Sequence, residues 1–135
     1  MAELFKFELV SPEDLLLSQD VRQVLVPGTD GNFTVLPGHA PVLSTMRPGV
    51  LDVVDEGGRE NRIFVRGGVA EVNPKGLTVL AEEAVPLEEL SAEMLAQQIK
   101  NAEEDVADAS EDEKRRRAQE ALDHLRDLQR ALDAR

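Results

Sequence analysis

Cysteine is absent from the 135-residue chain, which excludes disulfides, thiolate nucleophiles and every cysteine-bearing zinc site. A small disulfide-stapled secreted module is excluded with them. Tryptophan and tyrosine are also missing, and the aromatics are Phe5, Phe7, Phe33 and Phe64. The core must therefore be aliphatic, and a base-stacking platform for nucleic acid is disfavoured. Apolar runs are short, as in Leu15-Leu16-Leu17, against the ~20 apolar residues that a membrane-spanning helix needs. The first ten residues carry Glu3, Lys6 and Glu8 and no apolar stretch of the signal-peptide kind, so the expectation is a soluble, intracellular protein. Positive charge is scarce: 15 Lys and Arg stand against 27 Asp and Glu, for a net charge of −12. A protein that grips a phosphate backbone needs the opposite balance, so no nucleic-acid partner is expected.

Glycine and proline are confined to one part of the chain. All nine Gly and all seven Pro lie in residues 1–86, and residues 87–135 contain neither. These residues punctuate turns and break helix interiors, so the first part should be turn-rich and the second helical. The expected domains are 1–86 and 87–135, with the boundary at Pro86. Charge does not distinguish them, with seven Lys and Arg against 13 Asp and Glu before the boundary and eight against 14 after it.

In Leu4 to Val10, Phe5, Phe7 and Leu9 share one face while Lys6 and Glu8 point the other way, the period-2 pattern of a half-buried strand. Similar pieces are 15–17, 21–26, 33–36, 50–54, 62–65, 69–72 and 77–80, separated by Asp30-Gly31, Gly57-Gly58 and Asn73-Pro74-Lys75-Gly76. Short strands at regular spacing argue for an antiparallel sandwich or flattened barrel. In the second part Leu95, Ile99, Ala102 and Val106 line one face of a helix starting near Ser91. A turn follows at 108–110, and Ser110 to Glu113 matches a capping box. Ala118, Ala121, Leu122, Leu125, Leu128 and Leu132 form the stripe of a second helix. The fold class expected is an antiparallel flattened β-sandwich followed by an antiparallel two-helix hairpin.

Little in the sequence supports bond chemistry. His124 reads as a solvated helix residue, while His39 lies in the rigid loop Pro37-Gly38-His39-Ala40-Pro41, either bonding a backbone carbonyl or touching a partner. No second ligand stands at metal spacing from either, and Ser11 and Ser44 lack a plausible His–Asp pair. Glu82-Glu83, Glu88-Glu89 and Glu103-Glu104-Asp105 read as solvated faces. Neither a Walker A sequence nor GxGxxG is present. No catalytic residue, cofactor or metal is expected. The basic run Lys114 to Arg117 follows Glu111, Asp112 and Glu113, giving three i, i+4 acid-to-base pairs worth ~0.2–0.5 kcal/mol each or, alternatively, a contact with an acidic partner.

Several stretches together carry a family resemblance. Val10-Ser11-Pro12-Glu13, Gly31-x5-Pro37-Gly38-His39-Ala40-Pro41, Arg47-Pro48-Gly49, Gly67-Gly68-Val69-Ala70-Glu71-Val72 and Leu77 to Glu82 follow one another at the spacing seen in the epsilon subunit of the F-type ATP synthase, called delta in mitochondria. The chain resembles that family through nearly all of residues 4–86. The resemblance implies a ten-stranded sandwich and two helices in the rotor's central stalk of a proton-translocating enzyme, with no bond chemistry of its own. It further implies gamma-subunit contacts at Ser11, His39, Pro41 and Ser44, and contacts with the membrane ring of c subunits at Asp30, Gly31 and Asn32. The expected location is the cytoplasmic face of a bacterial inner membrane, peripherally held through the complex.

Members of the family also use the hairpin as a brake on ATP hydrolysis, extending it into the alpha/beta catalytic head. The resemblance then implies that Lys114, Arg115, Arg116, Arg117, Arg126 and Arg130 face acidic segments of the beta subunit. Members that sense ATP carry Ile/Leu-Asp-x-x-Arg-Ala at the first helix, where this chain has Leu90-Ser91-Ala92-Glu93-Met94-Leu95. Without the guanidinium no useful ATP affinity is expected. The competing readings are a free-standing adaptor or chaperone that presents a helical hairpin and, more weakly, a small-ligand enzyme using His39.

Overall fold

Alternation of apolar and charged residues produces the first strand as its pattern predicts. In β1 (Phe5–Val10) Phe7 and Leu9 are fully buried, while Lys6 and Glu8 form an ion pair at 3.7 Å on the outer face. The computed structural model describes residues 3–133, so residues 1–2 and 134–135 of the expected domains lie outside the described residues. It divides into two units, one ending at Glu88 and one beginning at Glu89. After β1, the first unit holds β2 (Leu15–Gly28), β3 (Gly31–Val35), β4 (Val42–Thr45), β5 (Gly49–Asp55), β6 (Glu60–Asn73) and β7 (Gly76–Pro86). Ladders join β1 to β2, β2 to β5, β5 to β6, β6 to β7 and β7 back to β1. The sheet thus closes on itself, with β3 added along β2 and β4 along β6. Every ladder is antiparallel except β1 with β7, which is parallel.

Seven strands stand among the described residues where the resemblance implies ten, because β2, β6 and β7 are long: β2 and β6 change neighbours along their length, and β7 runs along most of β6. The first half of β2 pairs with β1, and its second half pairs with β3 and β5. A bulge between Val21 and Gln23 shifts the inward set from Leu17 and Val21 to Val24 and Val26, so the segments read separately as 15–17 and 21–26 are one strand. In β6 Ile63 and Val65 join the core before Gly67-Gly68, and Ala70 and Val72 join it after, while Phe64 is buried outside that cluster. Simple pleating forbids that change of phase, since successive side chains alternate faces. Gly67 and Gly68 supply it with φ of 62° and 112°. Facing them, β7 makes the same change, from buried Leu77, Val79 and Ala81 to Ala84, and it continues to Pro86, beyond the expected 77–80. Arg66 bridges the switch by pairing with Glu82 at 3.6 Å and Glu83 at 3.2 Å, so those two carboxylates are not merely solvated. The aliphatic residues turned inward by these strands form one core.

The second unit contains α1 (Ala92–Asp108) and α2 (Asp112–Asp133). Ser91 is the N-cap of α1, its hydroxyl accepting the Met94 N–H at 3.1 Å. At the start of α2 the expected capping box is not the arrangement found. The helix begins at Asp112, and Glu113 turns its carboxylate forward to Arg116 and Arg117 instead of back toward Ser110. Leu95 and Ala102 of α1 and Leu122 and Leu125 of α2 are buried, while the remaining stripe residues are half-exposed. The result is the helical hairpin that the stripe predicts, with a thin seam.

Two outcomes follow from the sandwich. A Cβ at Gly68 would stand 2.0 Å from the Leu80 carbonyl oxygen, in a backbone conformation that L residues rarely adopt. Gly68→Ala is therefore expected to cost ~2–4 kcal/mol in urea unfolding, whereas Gly57→Ala, where the new carbon would meet nothing closer than 3.5 Å, stays within ~0.5 kcal/mol. Equal losses for the two variants would refute the phase-switch role. Asp52 lies opposite Arg62 on the outer face of β5, and partial burial, reinforced by Glu60, raises its carboxyl pKa despite the opposing pull of Arg62. The native state then holds a proton that the unfolded chain has already released, so stability falls as pH rises through the window above the ordinary carboxylate value. Asp52→Asn should raise the thermal midpoint at pH 7 by ~1–3 °C and lose that gain below about pH 4. A lowered midpoint at pH 7 would contradict it.

Candidate functional site

The Pro37–Pro41 loop owes its shape to fixed proline dihedrals and to Gly38, whose φ is 80°. Within it the His39 N–H donates to the Leu36 carbonyl at 3.0 Å, and the ring Nδ1 donates to the Ala40 carbonyl at 2.6 Å. That bond consumes Nδ1 and leaves Nε2 for any outside partner. The ring centroid lies 6.4 Å from that of Phe33 on β3. Under the loop is a cavity of about 280 Å³ lined by Phe5, Val35, Leu36, His39, Val72 and Pro74, among others. Among the described residues, no cluster of three or more His, Asp and Glu is arranged to hold a metal ion.

The other expected gamma-facing residues have local work of their own. Ser11 ties the β1–β2 turn: its N–H donates to the Asp14 carbonyl at 2.8 Å, and its hydroxyl accepts the Asp14 N–H at 3.2 Å. Ser44 donates to the Thr45 carbonyl at 2.9 Å and sits opposite buried Ala70, so it is only half-exposed. Pro41 is exposed immediately before β4.

Residue types expected in the interior stand outside next to these positions. Cross-strand partners share a face of the sheet, and the registers Leu15 with Val10, Val10 with Leu80, Leu80 with Val69 and Val69 with Thr45 define one row across five strands. At ~4.8 Å per strand the row is roughly 19 Å long. Leu15 is 59% exposed and Leu80 46%, and Leu43, two residues before Thr45 on the same face, is 67% exposed. Glu8 and Glu71 border the row, giving an apolar strip with a polar rim. Ser11 and Ser44 adjoin its two ends. Sequence reading missed Leu43 and Leu80, although Leu80 breaks the pattern Leu77-Thr78-Val79 by placing an apolar residue in the polar phase.

Asp30, Gly31 and Asn32 are all exposed, at a two-residue turn between β2 and β3 closed by the Gly28–Gly31 pair. Gly31 has a φ of 138°. Of the expected helix cations, Lys114 pairs with Glu111 at 3.8 Å, Arg116 with Glu113 and Glu120 at 2.6 Å, and Arg117 with Glu113 at 3.2 Å. Arg115 donates to the Ala109 carbonyl at 2.9 Å, and Arg130 pairs with Asp127. Arg126 reaches across to Glu103 of α1 at 3.3 Å. One of the three expected i, i+4 pairs is therefore formed, that of Glu113 with Arg117. The neighbouring guanidinium of Arg116, first by hydrogen bonding and then by its charge, holds the Glu113 carboxyl below the usual carboxylate range.

This assembly of closed sandwich, exposed strip and hairpin has relatives. The family model for the β-sandwich domain of the ATP synthase delta/epsilon chain matches residues 4–87. The chain is 54% identical over 132 residues to the ATP synthase epsilon chain of Parvibaculum lavamentivorans, covering 98% of this chain and 100% of that one. It is 47% identical to the epsilon chain of Mesorhizobium japonicum, covering 98% of each. A chain of the Euglena gracilis mitochondrial ATP synthase, solved as OSCP/F1/c-ring in rotational state 1, superposes with a TM-score of 0.73 at 29% identity, over 96% of this chain and 81% of that one. A chain of the central stalk and c-ring of the Tetrahymena thermophila mitochondrial enzyme shares the fold, with a TM-score of 0.58 at 12% identity over 90% of this chain and 98% of that one. By the family match and by these identities over nearly its whole length, the chain belongs to the ATP synthase delta/epsilon family.

Proposed function

We propose that this chain is a non-catalytic subunit of the central stalk of a proton-translocating F-type ATP synthase, seated between the gamma subunit and the c-ring. Family membership supports the assignment, as does the likeness to a chain of an F1/c-ring assembly. The observation that carries it is the apolar strip from Leu15 through Val10, Leu80 and Val69 to Leu43. A strip of this kind on a rigid sheet is a ready docking face, because little entropy is lost when fixed side chains meet a partner. In this reading gamma lies along the strip and touches Ser11, His39, Pro41 and Ser44, and the turn bearing Asp30, Gly31 and Asn32 meets the ring. Residues 1–86 act as the docking domain and 87–135 as a separate helical domain. No helix among the described residues is long and apolar enough to cross a membrane. Attachment to the cytoplasmic face of the membrane then comes through the complex.

The hairpin serves as a brake on ATP hydrolysis when it opens toward the alpha/beta head. Its thin seam, closed by four buried side chains and the Arg126–Glu103 pair, suits an element whose two states differ by only a few kcal/mol. The cations of α2 already have partners within the hairpin, but exposed ion pairs are worth ~0–1 kcal/mol each. Exchanging them for beta-subunit carboxylates costs little.

Leu80→Glu tests the docking face. Since the side chain is 46% exposed, the variant should keep its thermal midpoint while retaining gamma on copurification at least ~10-fold less tightly. Undiminished gamma recovery would reject the assignment of this face. Reversing the charge of Arg115, Arg116 and Arg117 together should raise ATP hydrolysis by the assembled enzyme, and an unchanged rate would dismiss the brake.

A further inference from the structure

The turn assigned to the ring and the strand assigned to gamma belong to different hairpins, yet a compact set of bonds joins them. Gly28, at the end of β2, forms a bridge with Met46, just past β4. The Thr29 N–H donates to the Thr45 carbonyl at 2.9 Å, and the two threonine hydroxyls share a hydrogen bond at 2.8 Å. One residue further on, the Arg47 N–H donates to the Pro27 carbonyl at 3.1 Å, and its Nη2 donates to Asn32 Oδ1 at 2.6 Å. From these contacts we infer that Arg47 is a positioning residue, a brace that locks the β2–β3 turn to the end of β4 so that the two docking surfaces move as one body.

The need for a brace follows from the topology. β3 stands at the end of the strand order β1-β7-β6-β5-β2-β3 and is paired along one side only. A two-residue turn closed by a glycine, at the tip of an edge hairpin, is by itself a soft element. Load applied at Asn32 would bend it before reaching the core. Arg47 resists that bending because a guanidinium offers several donors in a fixed plane and its bond to an amide oxygen is charge-assisted. The guanidinium is itself held by close packing. A Cβ at Gly49 would come within 2.9 Å of the Pro27 side chain and 3.3 Å of Arg47 Nη1, so only glycine lets the β4–β5 connection lie this near β2. The Arg47-Pro48-Gly49 run is thus explained as a unit: a donor, a stiff residue that follows it, and a residue without a side chain to obstruct it.

This inference rests on the rotor reading for what the turn pushes against, but not for the brace itself, and the experiment separates the two. Amide exchange in the full chain measures the brace. Arg47→Ala is expected to speed exchange across residues 29–34 by roughly three- to tenfold, with Arg47→Lys, which keeps one donor, falling between it and the parent chain. In membrane vesicles carrying the assembled synthase, the same alanine variant should still copurify with gamma but pump fewer protons per ATP hydrolysed, and the lysine variant should recover part of that loss. A merely structural role would instead lower the thermal midpoint and gamma recovery together without changing the pumping ratio. Exchange unaltered in both variants overturns the brace. Faster exchange with an unaltered pumping ratio leaves the brace standing and overturns the ring-facing assignment of the turn. If the alanine variant does not fold, the lysine variant decides by the same two readouts.

Discussion

Pairing of the first strand with the last is the constraint on which the sandwich depends. β1 and β7 are parallel neighbours, and their ladder turns what would be an open sheet into a ring. An open sheet presents unpaired backbone groups along two edges and can shear between strands, whereas closure pairs β1 and β7 on both sides and leaves the appended β3 and β4 paired on one. The pairing is available because Gly76, with a φ of 143°, lets β7 begin directly against β1; a Cβ there would stand 2.0 Å from the Lys6 carbonyl oxygen. The exposed apolar strip crosses this seam, since Val10 on β1 and Leu80 on β7 are register partners. A face suited to docking therefore exists only once the two ends of the domain have met.

Long-range closure of this kind also marks what could be read from the chain beforehand. Alternation in Phe5-Lys6-Phe7-Glu8-Leu9 is a local property, and so are the glycine- and proline-free composition of 87–135 and the spacing of Leu95, Ala102, Leu122 and Leu125; each yields its element where expected. β4 left no such trace. Four residues, Val-Leu-Ser-Thr, beside a proline-bracketed loop have no pattern of their own, and they form a strand because β6 offers them a ladder. The phase changes in β2 and β6 made single strands look like pairs of shorter ones, since a period-2 reading stops wherever a bulge or a left-handed glycine resets the faces. The capping box was a genuine local signal that lost to a competing one. Arg116 and Arg117 lie within reach of Glu113 and draw its carboxylate away from the helix start.

The candidate site was legible to a different degree at each position. The five-residue loop around His39 advertises rigidity through its prolines, and the structure adds that the ring nitrogen Nδ1 is spent on a backbone carbonyl. Ser11 and Ser44 turn out to be hydrogen-bonded to their own turns, so their hydroxyls shape the backbone first and present little free polarity to a partner. The exposed apolar area lies beside them, in the leucines of the strip. Whether a leucine on a two-faced strand points in or out is settled by register, and register is a property of the closed sheet.

The two units are built on opposite plans from the same small repertoire of side chains. The sandwich uses fully buried aliphatic residues, left-handed glycines and a closed ladder to hold one conformation. Among the described residues the hairpin has two buried residues on each helix, of which Leu95 and Leu125 are fully so, and a surface of exposed ion pairs. Its acidic and basic residues alternate so closely that any one guanidinium can exchange one carboxylate for another at little cost, and its apolar seam is narrow enough to part without exposing a large core. The confinement of glycine and proline to the first 86 residues underlies the difference: they build the bends and close approaches of the sandwich, and their absence from the second unit leaves its helices uninterrupted.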